Sequence, residues 1–154
     1  MRIEIGRVTL DIDVERTRAF YADYPFNDCG CAECLWFREY APRFDPSVHE
    51  FLRSLGIADV RQAIEVYHFD EDEHRCYSNG WFHVCGEIVE NGNTVTTSVD
   101  KRGMEAVRID AEWMKIGRGF SVGVVQEDVD LMPDGFPLPA VQLEFCAEYP
   151  RKET

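Results

Sequence analysis

The chain has 154 residues, 45% of them apolar, and sets 16 Lys and Arg against 29 Asp and Glu for a formal net charge of −13. A length and composition of this kind supply one hydrophobic core, and with no linker-like stretch to divide the chain a single domain over residues 1–154 is expected. A surface this acidic repels phosphate backbones and anionic lipid, no basic and apolar leader opens the chain, and no apolar run approaches the roughly 20 residues that cross a bilayer, so nucleic acid and membrane are set aside as partners.

In chain order, Val8-Thr9-Leu10-Asp11-Ile12-Asp13-Val14 alternates apolar and polar residues and predicts a half-buried strand. Ile3 and Ile5 stand in the opposite phase, which places a bulge or bend near Gly6. A helical insert is expected over about residues 15–56. Within it, a short helix around Cys34 to Tyr40 carries Leu35, Trp36 and Phe37. A second helix starts with Asp45 as N-cap and Pro46 at the first helical position, continues through Val48, Phe51, Leu52 and Leu55 at helical spacing, and ends at Gly56.

Beyond Gly56 the period becomes two. Ile64 to Phe69, Trp81 to Glu90, Thr94 to Val99, Val107 to Ala111, Phe120 to Gln126 and Val141 to Tyr149 read as strands, and Glu127 to Pro139 as a long irregular loop. Asn91-Gly92 is a type I′ turn signal, with positive φ expected at both residues. The fold class that follows is α+β, a mainly antiparallel sheet of five to seven strands, as a sandwich or open barrel, with the helical insert.

If Asn91-Gly92 closes a hairpin, Glu90 pairs with Asn93 and the register follows. Ile88 faces Val95 and Val84 faces Val99 on a buried side, while Glu87 faces Thr96, Cys85 faces Ser98 and His83 faces Asp100 on the other. Cys85, His83 and Asp100 then have the residue types of a nucleophile, a base and an orienting acid. The competing explanation is an ordinary polar cross-strand face, and it prevails because neither an oxyanion site nor a cleft is visible.

The segment Asn27-Asp28-Cys29-Gly30-Cys31-Ala32-Glu33-Cys34 concentrates half of the six cysteines. Gly30 permits the sharp turn that lets Cys29, Cys31 and Cys34 converge, and the Cys31–Cys34 spacing is that of a zinc knuckle. Three thiolates need one more ligand to complete a tetrahedron around zinc, and Cys76, Cys146 or a histidine is the candidate. Two other readings stand beside this one. The thiols are small hydrophobes packed under Trp36 and Phe37, or one is a redox or nucleophilic group in the first turn of a helix capped by Asn27 or Asp28. Asp28 and Glu33 oppose the thiolate, and the segment lacks the βαβ setting of thioredoxin. With ten Phe, three Trp and six Tyr to build a core, a disulfide scaffold is unnecessary, and reduced thiols in the cytoplasm are expected.

Three further signals are set aside. Gly117-Arg118-Gly119-Phe120-Ser121-Val122-Gly123 leads into a strand rather than a helix, so it builds no phosphate loop. Asp70-Glu71-Asp72-Glu73-His74 lacks the spacing of a calcium loop, and His49 reads as a surface residue.

The run Asn27-x-Cys29-x-Cys31-x-x-Cys34-x-x-Phe37, followed by Leu55-Gly56-Ile57 and Glu65-Val66-Tyr67, resembles a pattern in small uncharacterised bacterial proteins. The resemblance implies a bacterial cytosolic protein and brings no activity or catalytic residue with it. The leading reading is therefore a non-catalytic domain that binds a protein partner or small ligand, with zinc at Cys29, Cys31 and Cys34. A cysteine-thiolate enzyme and an acidic inhibitor or immunity-type factor for a basic protein are the alternatives.

Overall fold

The computed structural model describes residues 1–69 and 72–153. Strands β1 (Arg2–Ile5) and β2 (Val8–Ile12) form a hairpin in which Ile5 pairs with Val8 around Gly6-Arg7, with Gly6 at φ 58°. The change of phase at Gly6 is thus a turn and not a bulge within one strand. Gly6 also lies against the chain near Glu112, whose carbonyl oxygen would be 2.2 Å from any Cβ placed there.

Strand β2 ends at Ile12, two residues before the expected strand does, because the Asp13 carboxylate accepts a hydrogen bond from the Arg16 N–H at 3.1 Å and caps α1 (Val14–Asp23). Helices α2 (Ala32–Tyr40) and α3 (Pro46–Ser54) complete the helical insert. Five strands follow in the main sheet: β3 (Glu65–His68), β4 (Arg75–Asn91), then, after a two-stranded ribbon of β5 (Thr94–Val99) and β6 (Glu105–Asp110), the hairpin β7 (Met114–Gly117) and β8 (Phe120–Gly123), and last β9 (Ala140–Pro150). The expected α+β class is observed, with seven antiparallel strands in an open sheet of order β1-β2-β4-β9-β8-β7 and β3 also paired to β4.

Gly117 to Gly123 is the β7–β8 hairpin, with Arg118 and Gly119 at its tip. The carboxylate of Asp45, at the start of α3, accepts from the Arg118 N–H at 2.8 Å instead of capping its own helix. Asp72 closes a local turn by accepting from the N–H groups of His74 and Arg75, while Asp70 and Glu71 of the same acidic run lie outside the described residues.

One face of the sheet carries Phe82, Val84, Leu143, Phe145, Ala147 and Tyr149, all buried, and the helices pack on it. Phe37 of α2 stacks on Phe145 at 6.0 Å between centroids, and Phe120 stacks on the same ring at 5.2 Å. Gly80 leaves room for this, since a Cβ there would be 2.8 Å from the Phe145 ring. Among the described residues no helix is long and apolar enough to cross a membrane.

The expected Asn91-Gly92 hairpin does not form. Asn91 is the last residue of β4 and pairs with Val8, Gly92 donates its N–H to the Arg7 carbonyl at 3.0 Å, and neither residue has a positive φ. Strand β4 takes its partners from distant parts of the chain, while β5 turns away and pairs with β6. Every residue of that ribbon is exposed, including Val95, Val99 and Val107 at 62–65%, so the expected burial of Val95 and Val99 against β4 is corrected.

Along one edge of β4, β3 pairs with Ser78 to Trp81 and β2 with Gly86 to Asn91. Between them, among the described residues, the backbone at His83 and Cys85 has no strand beside it on that edge, and α1 supplies the missing hydrogen bonds. The Tyr21 hydroxyl donates to the His83 carbonyl at 2.8 Å and accepts from the His83 N–H at 3.0 Å, while Thr17 Oγ1 accepts from the Cys85 N–H at 2.9 Å. Burial pushes the Tyr21 phenol up from its ordinary pKa, which keeps it a donor. Tyr21→Phe orphans a buried N–H and C=O together and is expected to cost about 2–3 kcal/mol, measured by urea unfolding at neutral pH. An unchanged unfolding midpoint would show that α1 does not close the edge.

Candidate metal centre

The first turn of α2 gathers the cysteines. Cys31 is its N-cap, and its sulfur accepts from the Cys34 N–H at 3.4 Å, the position that Asn27 or Asp28 was expected to take. Asn27 folds the preceding loop instead, its side-chain oxygen accepting from the Cys29 N–H at 2.9 Å. Arg38, one turn further along α2, reaches back to the Cys29 carbonyl at 2.8 Å. Both bonds fasten the loop at Cys29, on either side of its Cα.

The sulfurs of Cys29, Cys31 and Cys34 all lie within 4.8 Å of one another, and those of Cys29 and Cys31 are 3.4 Å apart. A tetrahedral zinc with Zn–S bonds of about 2.3 Å puts its sulfurs about 3.8 Å apart, so the three are close enough to share one metal ion. They are not scattered into separate parts of the core. Cys29 and Cys31 are exposed and Cys34 is 5% exposed, on the side of α2 that faces the sheet.

The electrostatics divide the cluster. Hydrogen bonding from the Cys31 backbone, then from the neighbouring thiols, holds the Cys29 pKa below the ordinary thiol value, with the Arg38 charge adding to it. Burial, followed by the neighbouring thiols, pushes Cys34 up to about 12. A thiol so disposed is no nucleophile, but it is a ligand that a metal can deprotonate on binding.

Cys34 Sγ is 3.2 Å from His68 Nε2. His68 ends β3 opposite Ser78 of β4, and its Nδ1 is 2.7 Å from Ser78 Oγ, which is 2.6 Å from the Tyr149 hydroxyl. A polar chain therefore runs from the sulfur cluster into the aromatic core. The expected cysteine candidates for a fourth ligand do not join the three sulfurs: Cys146 pairs with Asn79 and Ser121 on the opposite face of the sheet from Phe145, and Cys76 is opposite Tyr149. The signal for His68 was its spacing from Val66, which puts both residues on the inner face of the predicted strand.

Cys85, His83 and Asp100 are not brought together. Cys85 pairs with Ala140 and His83 with Gln142, while Asp100 sits at the tip of the ribbon, its carboxylate accepting from the Arg102 and Met104 N–H groups. The proposed pairing fails because it rested on the hairpin that does not form. His83 is fully buried against Phe136, with ring centroids 5.7 Å apart, and neither ring nitrogen has a hydrogen-bond partner among the described residues.

Burial lowers the His83 pKa from its ordinary 6.5 to about 4, only partly offset by the Asp130 charge. Above pH 6.5 the ring is neutral folded or unfolded. As pH falls from 6.5 towards 4 only the unfolded chain takes up the proton, so stability is lost across that window, at up to about 1.4 kcal/mol per pH unit. His83→Phe is expected to remove this component, so that the difference between variant and parent in urea-unfolding free energy changes by about 2–3 kcal/mol between pH 7 and pH 4. Parallel curves would contradict it.

No family model matches the chain, and neither does any curated protein or solved structure, so the resemblance carried by Asn27 to Phe37, Leu55 to Ile57 and Glu65 to Tyr67 stands on those residues alone.

Proposed function

We propose that this chain is a cytosolic, non-catalytic binding domain whose partner-facing loop is organised by a zinc ion held by Cys29, Cys31 and Cys34. The observation that carries the reading is the convergence of the three sulfurs within 4.8 Å at the first turn of α2. Thiolates are soft ligands, and zinc is among the ions that they select. Burial of Cys34 and its raised pKa weigh against that thiol as a nucleophile, and the separation of Cys85 and His83 from Asp100 weighs against one at Cys85.

The surroundings of the loop support a protein partner. Leu35 projects from α2 at 51% exposure, and Phe26, 44% exposed, lies under the Arg61 guanidinium at 4.3 Å just before the cysteines. Exposed apolar anchors beside a rigid, metal-bearing turn are the elements of a contact surface. The net charge of −13 favours a basic protein over nucleic acid or anionic lipid.

Protein purified under reducing conditions is expected to carry one zinc per chain by elemental analysis. Chelation is expected to lower its melting temperature, because metal-binding free energy at such a site is folding free energy. Cys31→Ser, a change at an exposed position, should weaken zinc binding without preventing folding of the apoprotein. A metal-free protein that does not load with zinc and melts identically in chelator would contradict the reading.

A further inference from the structure

We infer that His68 completes the cluster through Nε2, closing a Cys3His site whose histidine is oriented by Ser78 and Tyr149. The inference rests on the proposed zinc reading and names its fourth ligand. Three observations converge on it. First, His68 Nε2 is already 3.2 Å from Cys34 Sγ, close to the separation of about 3.5 Å between nitrogen and sulfur ligands on one tetrahedral zinc. Second, the contact joins α2 to β3, two elements that are far apart in sequence and are fixed independently, Phe37 against Phe145 and His68 opposite Ser78.

Third, the other ring nitrogen is engaged as a zinc-bound histidine requires. A ligating histidine gives its second N–H to a neighbouring acceptor, which sets the tautomer and aims the lone pair. Ser78 Oγ, buried and 2.7 Å from Nδ1, can accept that proton while donating its own to the Tyr149 oxygen at 2.6 Å. Nε2 is then left as a lone pair directed at Cys34.

His68 meets the cluster at Cys34, the buried sulfur, while Cys29 and Cys31 are exposed. Closing the tetrahedron therefore moves the Cys29–Cys31 turn and not His68. The turn has space to move, since nothing lies within 4 Å of a Cβ built on Gly30. A site closed by four protein ligands leaves no position for water or substrate, so the ion clamps α2 to β3 instead of performing chemistry.

Substitution with Co(II) tests the assignment, because tetrahedral thiolate sites give strong d–d absorption together with sulfur-to-metal charge transfer. The parent chain is expected to show tetrahedral Co(II), with His68→Ala losing that spectrum and binding zinc more than about 100-fold more weakly, and Ser78→Ala weakening it by about 10-fold. His68→Cys should restore tetrahedral binding with about one-third more thiolate charge transfer, as four sulfurs replace three. Should His68→Ala fold poorly, nitrogen NMR of the parent zinc form reads the same point, showing His68 protonated at Nδ1 with its Nε2 resonance displaced on metal addition. A parent chain that loads Co(II) while His68→Ala retains its spectrum and affinity, or whose His68 resonances ignore the metal, overturns the assignment and leaves the three-cysteine reading in place. A parent chain that takes up neither metal overturns both.

Discussion

The longest strand, β4, cannot be paired along its whole edge by a single neighbour, and much of the architecture follows from how that edge is shared. Strand β2 takes its C-terminal end and β3 its N-terminal end, which leaves the backbone of His83 and Cys85 in the buried interval between them. An unpaired amide in that position costs the full desolvation of the group. Tyr21 and Thr17 remove the cost with side-chain hydroxyls, so α1 acts as a short substitute for a strand. Gln62 in turn donates to the carbonyls of Tyr21 and Tyr24 at the end of α1, which ties the segment entering β3 to the same plug.

This arrangement also positions the cysteine cluster. By holding β3 to one half of β4, it sets His68 across from Ser78 on the inner face, where α2 lands when Phe37 stacks on Phe145. The cluster is then bounded by one rigid wall, formed by Cys34, His68 and Ser78, and one exposed turn, formed by Cys29 to Cys31. Such a site couples a pre-set ligand pair to a loop that a metal can order. The inner end of the polar chain, Tyr149, stacks on Tyr40 of α2 at 5.2 Å, so the helix is held to the sheet at both its ends.

What the sequence disclosed divides along the range of the forces involved. The α3 boundaries were legible because Pro46 and Gly56 act locally, although the expected Asp45 side-chain cap is taken by Arg118, and Thr94–Val99 was placed as a strand on its β-branched content. The convergence of the three cysteines was legible for the same reason, since a glycine turn and a CxxC spacing act within six residues. Asn91-Gly92 misled because a local turn preference competed with non-local pairing: β4 gained more by continuing along β2 than by folding back on β5. Every residue pair derived from that turn failed with it, His83 with Asp100 included. His68 was visible only as a residue on the inner face of a strand, because its proximity to Cys34 depends on the β3–β4 register and on where α2 docks.

The central claim is that the cysteine segment is a metal centre and not incidental core packing. Zinc K-edge X-ray absorption of protein purified under reducing conditions addresses it most directly, because the fine structure counts and identifies the atoms bound to the ion. The account predicts a first shell of three sulfurs at about 2.3 Å and one imidazole nitrogen at about 2.0 Å. A shell made only of oxygen and nitrogen, or one sulfur among light atoms, would contradict it.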